Sequence, residues 1–182
     1  ISEIKEILDA HELASADVGI VAVSHGPGSF TGLRVGIVFA KTLAYVTGCR
    51  IAAVDTLQAI AESVTSETFS EINRLHVVSD AQREQLFVSD FRRAETGFWE
   101  ASGPIDIVDC DGWLNSAANQ AGSEFAVIGP GLAKVADGLP ESVRCLPEEM
   151  WTPRAANVAA IAERLAADNQ FADPFELEPF YL

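Results

Sequence analysis

Val18-Gly19-Ile20-Val21-Ala22-Val23-Ser24-His25-Gly26-Pro27-Gly28-Ser29-Phe30-Thr31-Gly32-Leu33-Arg34-Val35-Gly36 decides the fold class of this 182-residue chain. Val18 to Ser24 is a near-continuous apolar run with a small-residue exit, the pattern of a parallel strand buried on both faces. A glycine loop, Gly26-Pro27-Gly28, ends it, and a helical pattern runs from Ser29 to about Val46. Arg50 to Val54 repeats the buried-strand pattern and Thr56 to Val64 the helical one. Strand, helix, strand, helix in that order predicts a parallel sheet with right-handed crossovers.

Outward from this unit, Ile1, Ile4, Ile7 and Leu8 share one helical stripe, and Glu3, Lys5, Glu6 and Asp9 lie opposite. They predict an amphipathic helix over Ile1 to Leu13. No capping residue precedes it, so the chain is expected to begin inside an element. From Leu75 the texture changes. Leu75 to Ser79, Gln85 to Phe91, Gly97 to Ala101 and Ile105 to Val108 are short β runs between polar turns, an expected antiparallel meander. Phe125 to Ile128 returns to a buried strand, followed by the Gly129-Pro130-Gly131 turn and a short helix. Arg154 to Asp168 is an alanine-rich amphipathic helix opened by Pro153, and the tail from Phe171 to Leu182 is expected to lie extended against the body.

Composition narrows the function. Hydrophobic residues make up 48% and charged residues 21%, a globular mix. No apolar run is long enough to cross a bilayer, and the first residues lack the basic start and apolar centre of a signal peptide. Cys49, Cys110 and Cys145 are odd in number and widely spaced, which fits a reducing compartment, the cytoplasm, better than a disulfide framework or a zinc site. The net charge is −15, from 12 basic and 27 acidic residues. Nucleic-acid binders gain affinity by neutralising phosphates with Lys and Arg, so any nucleic acid is expected to be held by a basic partner.

The glycine loop carries the site candidates. Gly26 and Gly28 allow a tight turn and close approach, Ser29 or Thr31 can cap the following helix, and the unpaired N–H groups there make Gly26, Gly28, Ser29 and Thr31 a candidate anion loop. The spacing matches neither common nucleotide fingerprint. Further along, Gly32, Gly36, Ala40 and Ala44 recur every fourth residue. Each glycine in a helix costs about 1 kcal/mol relative to alanine, a cost tolerated where another backbone comes very close. That backbone belongs either to the protein's own sheet or to a helix of another chain.

The string GPGSFTGLRVG, the AKTLA at Ala40 to Ala44 and the following IAAVDTLQAIA resemble the TsaB (YeaZ) family. So do Ser79-Asp80-Ala81-Gln82-Arg83-Glu84-Gln85-Leu86-Phe87, Gly129-Pro130-Gly131 and the terminal Leu177-Glu178-Pro179-Phe180-Tyr181-Leu182. Gln82 and Gln85 depart from that pattern, where the family has Arg and Glu. The strands that open the family have no counterpart ahead of the first helix. The resemblance implies an α/β, two-lobed fold of the ASKHA (actin/Hsp70-like, RNase H-like) class, its first lobe truncated at the N-terminus. Residues 1–64 are expected to form the remainder of that lobe, completed by the C-terminal helix, and residues 65–182 the second. Missing strands would leave an open sheet edge.

The resemblance further implies a partner subunit, without catalytic residues, of a TsaD-like enzyme that installs threonylcarbamoyl on adenosine 37 of tRNA. TsaE-like ATPase and the threonylcarbamoyl-AMP synthase complete the system. ATP and magnesium are expected to serve those partners, with any nucleotide near this chain at a shared interface. Homodimers are expected when the partner is absent, and tRNA contact is expected to be indirect. Pairing is expected through the first two long helices, with Ile4, Leu8, Phe30, Gly32, Leu33, Gly36, Ala40 and Ala44 at the interface. The catalytic relatives hold a metal through a His-x-x-x-His pair. His11, His25 and His76 have no such spacing, so no metal site is expected. Asp55 and Asp80 end strands where ASKHA relatives place carboxylates near magnesium; a turn or capping role is the competing expectation. His25 and Ser29 as base and nucleophile compete with a strand-end and a cap role, and a residual phosphotransferase is the alternative function.

Overall fold

In the computed structural model of the chain, residues 2–180 are described. Ile1 of the first stripe and Tyr181 and Leu182 of the terminal motif lie outside the described residues. The order is α1 (Ser2–Ala10), β1 (Ile20–Gly26), α2 (Phe30–Thr47), β2 (Arg50–Asp55), α3 (Thr56–Ala61), β3 (Arg74–Asp80), β4 (Gln85–Arg93), β5 (Trp99–Ala101), β6 (Asp106–Asp109), α4 (Cys110–Gln120), β7 (Phe125–Ile128), β8 (Arg144–Cys145) and α5 (Ala155–Ala167).

β1 and β2 pair in parallel, Ile20 opposite Arg50 and Ser24 opposite Val54. Alternation sends Val23 and Ile51 to one face, where Ile37, Ala40 and Ala44 of α2 cover them. Ala52 and Val54 face the other side, against Ala59 of α3 and Ile161 and Ala162 of α5. Helices on both faces explain why the strands read as unbroken apolar runs. Among the described residues no strand pairs with the outer edge of β1.

The second sheet has the order β5-β4-β3-β7-β8. β3 and β4 are antiparallel in full register from Arg74–Arg92 to Asp80–Leu86, and β7 joins β3 in parallel. The expected meander is modified here. β5 pairs with the Phe91–Arg93 end of β4 and β6 with its Gln85–Val88 end, so the two share one edge instead of stacking in sequence. The helix α4 has no strong apolar pattern in CDGWLNSAANQ; its Asp109 cap on Gly112 N–H and buried Trp113 and Ala117 hold it to the sheet. Pro153 lies outside α5, whose cap is Arg154, so the proline precedes the helix and does not open its first turn.

α3 is shared by both lobes. Leu57, Ile60 and Ala61 enter the core of the second lobe with Leu75, Val77, Phe91 and Trp99, while Ala59 enters that of the first. Each fully buried aliphatic there stabilises by about 1.5–3 kcal/mol. Trp99 fastens the joint, its N–H donating to Glu62 Oε1 at 3.2 Å and its indole N–H to the Val64 carbonyl at 2.9 Å.

Candidate functional site

α2 begins at Ser29, whose Oγ accepts the Gly32 N–H at 3.3 Å, and ends at Gly48, a left-handed C-cap with φ 77°. Ser29 is thus a helix cap. Between these ends the helix is apolar nearly all round, and the structure splits it into two arcs. The small-residue stripe lies largely on the inner arc. Ala40 is 1% exposed and Ala44 7%, both within the chain's own core, and a Cβ on Gly36 would touch Val23. Leu33 is also buried, whereas Gly32 is exposed. The stripe therefore packs α2 against the protein's own β1–β2 sheet, and the strands bearing Val23 and Ile51 are the close neighbour that the small residues admit.

The outer arc is a different set. Phe30, Val35, Val38, Tyr45 and Val46 are exposed, Val38 by 61% and Tyr45 by 83%. At 100° per residue they fall on one side of the helix, together with the exposed Arg34 and Thr42. The Arg34 guanidinium lies 3.7 Å over the Phe30 ring, so it follows its own helix. α1 adds Ile4 and Ile7, also exposed, while Leu8 is half-buried. Ile4 and Leu8 of α1, Ile20 and Val21 of β1 and Phe39 and Leu43 of α2 bound a cavity of about 590 Å³. A soluble helix ordinarily turns its apolar stripe inward and charge outward. Here the outward side is apolar too.

The glycine loop faces a second cavity, about 450 Å³, between the lobes. Gly28 and Ser29 line it together with Ser24, Thr56, Ser79 and Pro130, so the loop and the Gly129–Gly131 turn do converge. Gly26, with φ 131°, is covered elsewhere: a Cβ there would lie 2.9 Å from the Phe180 carbonyl oxygen, and Phe180 N–H donates to the His25 carbonyl at 2.8 Å. Thr31 is exposed in the first turn of α2. Among the described residues no lysine or arginine lines the cavity. The nearest carboxylate candidates are committed. Asp55 caps α3, accepting the Leu57 N–H at 2.7 Å and the Gln58 N–H at 3.0 Å. Burial raises its pKa, against the pull of those bonds and His25. Asp80 accepts the Gln82 N–H at 2.6 Å and pairs with Lys134 at 2.6 Å; these contacts outweigh burial and hold its pKa below the usual range. Burial lowers the pKa of His25, whose ring meets that of Phe180 edge-on. Among the described residues no group of three or more His, Cys, Asp or Glu lies close enough to hold a metal ion. A magnesium–nucleotide of the kind this class of fold carries does not fit these residues: among the described residues the cavity lining offers hydroxyls but no charged side chain, and Asp55 and Asp80, next in sequence to the lining Thr56 and Ser79, serve the backbone and Lys134.

Two α/β lobes sharing one helix, with glycine turns meeting across the cleft, define a protein of the ASKHA class. Residues 1–109 match the TsaD family, described as tRNA N6-adenosine threonylcarbamoyltransferase. The chain belongs to this family, within its TsaB (YeaZ) group. It is 26% identical over 180 residues to the tRNA threonylcarbamoyladenosine biosynthesis protein TsaB of Escherichia coli K12, spanning 98% of this chain and 77% of that one. It is 30% identical over 111 residues to TsaB of Bacillus subtilis, spanning 61% of this chain and 46% of that protein. A Pseudomonas aeruginosa protein described as similar to peptidase YEAZ superposes with a TM-score of 0.81 at 20% identity, covering 98% of this chain and 80% of the other, which shows the shared fold.

The exposed apolar residues that sequence reasoning did not single out are Val35, Val38, Tyr45 and Val46. Their signal was present: a helix apolar on both arcs cannot bury both against one two-stranded sheet.

Proposed function

We propose that this chain serves the biosynthesis of threonylcarbamoyladenosine in tRNA as a partner subunit without chemistry of its own. The TsaB relatives carry that biosynthesis in their names. The outer face of α1 and α2 seats a TsaD-type catalytic subunit, and in its absence a second copy. TsaE-type ATPase joins the same assembly in the cytoplasm, and ATP and magnesium are used by those partners. The charge of −15 fits a subunit that leaves tRNA to the others.

The observation that carries this reading is the apolar outer arc of α2. Exposed apolar patches of this kind mark interaction sites, and aromatic side chains such as Phe30 and Tyr45 are typical interface anchors. Ile4, Phe30, Gly32 and the half-buried Leu8 and Gly36 border that face, whereas Ala40, Ala44 and Leu33 support it from beneath. Co-elution with a purified TsaD-type subunit, measured by size-exclusion with light scattering, tests the reading. A stable heterodimer is expected; a chain that stays monomeric and ignores that subunit refutes it.

A further inference from the structure

Among the described residues four buried side-chain polar atoms make no hydrogen bond: Arg74 Nε, His76 Nδ1, Asp90 Oδ1 and Trp113 Nε1. The first three belong to one cluster on the sheet face that α4 covers, and the fourth to α4 itself. Arg74 and His76 are two apart on β3, and His76 pairs across the strands with Asp90 of β4. Buried polar groups are normally partnered, so exceptions gathered at one helix–sheet contact call for a physical reason.

Gln120, in the last turn of α4, bridges the cluster. Its Oε1 accepts from Arg74 Nη2, and its Nε2 stands 3.2 Å from His76 Nε2 and 3.3 Å from Ser116 Oγ. Arginine only donates, so the amide oxygen faces Arg74 and the amide N–H groups face His76. His76 Nε2 is therefore an acceptor without a hydrogen, and the neutral ring carries its hydrogen on Nδ1. The ring is 5% exposed and stands edge-on to Phe125 at 4.8 Å, which holds it in place. A proton from solvent adds to the lone pair on Nε2, where it meets the Gln120 N–H groups, donor against donor. Rotating the amide brings its oxygen to His76 but sets its N–H groups against the Arg74 guanidinium. In this position the amide cannot serve both Arg74 and an imidazolium.

We propose that Gln120 is a proton-operated latch: it fastens the last turn of α4 to the sheet while His76 is neutral and lets go when His76 is protonated. Burial disfavours the charged ring in the closed state; Asp90 on β4 opposes that effect and Arg74 on β3 reinforces it. Arg92 follows Asp90 on the same face of β4, and Asp106 of β6 lies beyond them, opposite Val88. β7 presents Phe125 and Val127, with Glu124 just ahead accepting from Asn73 Nδ2 at 2.9 Å. α4 brings no charge in its last two turns. With α4 released the ring returns toward its ordinary pKa of 6.5. The open form thus takes the proton first, and opening becomes easier as pH falls below that value.

The test is nuclear magnetic resonance of the full chain between pH 7.5 and pH 5, reading the His76 ring nitrogens and amide exchange in α4 and α5. The neutral ring is expected to carry its hydrogen on Nδ1. Amides of Ala117 to Gln120, corrected for intrinsic rates, are expected to exchange about tenfold faster or more at the acid end, with α5 unchanged. Gln120→Glu offers oxygens to both Arg74 and the imidazolium, so His76 is expected to titrate at higher pH than in wild type and the acid loosening to vanish. A neutral His76 with its hydrogen on Nε2 overturns the latch. So does α4 exchange in wild type that ignores pH, acid loosening shared equally by α5, or loosening in Gln120→Glu equal to that of wild type. All but the last are read on wild type, so the latch remains refutable if Gln120→Glu fails to fold.

Discussion

Replacing Ala40 with leucine tests which arc of α2 faces inward. Ala40 is 1% exposed and sits in the cluster of Val23, Ile37, Ala44, Cys49 and Ile51, where its methyl group meets the sheet directly. Leucine would drive an isobutyl group into space already held by β1 and β2. Overpacking of this kind costs about 1–3 kcal/mol. For a chain of this length each kcal/mol moves the melting temperature by roughly 2–4 °C, so a fall of about 2–12 °C is expected. Val38→Ala, on the opposite arc, is the matched control. Its side chain is 61% exposed, and a change there stays within about 0.5 kcal/mol. Thermal unfolding followed by circular dichroism reads both. Equal melting temperatures for wild type and Ala40→Leu, or a larger drop in Val38→Ala, would refute the orientation of the helix and everything built on its outer face.

Further outcomes follow from individual contacts. Gly129→Ala places a Cβ against the Val78 carbonyl oxygen at a backbone φ of 121°, so it should cost roughly 3 kcal/mol or more, read as a large loss of melting temperature or of soluble protein. Glu62→Ala leaves the Trp99 N–H and Arg164 without their carboxylate and should destabilise by about 1–3 kcal/mol in a denaturant titration, with Glu62→Gln recovering part of it. Burial lowers the pKa of His76 below 6.5, the unfolded value, with Asp90 opposing and Arg74 reinforcing the shift. The unfolded chain therefore binds the proton first, and the His76 contribution to stability is lost as pH falls below about 6.5. His76→Asn should flatten stability between pH 6.5 and the lowered pKa relative to wild type; parallel curves would exclude that assignment.

The parallel unit from β1 to α3 was legible because each strand is buried on both faces and each helix has a sharp boundary, Ser29 and Asp55 at the starts and Gly48 at the end of α2. α4 was not. Its sequence holds Gly112, Asn115 and Asn119, and only the tertiary burial of Trp113 and Ala117 outweighs their weak helix preference. The small-residue stripe marks a place of close approach, and Gly36, Ala40 and Ala44 make that approach to the chain's own sheet. Spacing shows that a backbone comes near; it does not show whose. The convergence of Gly28 and Ser29 with Pro130 depends on how the two lobes pack across α3, a long-range relation that no local pattern encodes.

Hydrogen exchange on the chain with and without the TsaD-type subunit measures the docking face most directly. α1 has nine residues and little packing, too short to protect its amides alone. Binding is predicted to slow exchange in α1 and in the outer turns of α2, and to leave α4 and β8 unchanged. Slowed exchange at α4 and β8 with α1 as fast as in the free chain would contradict the account.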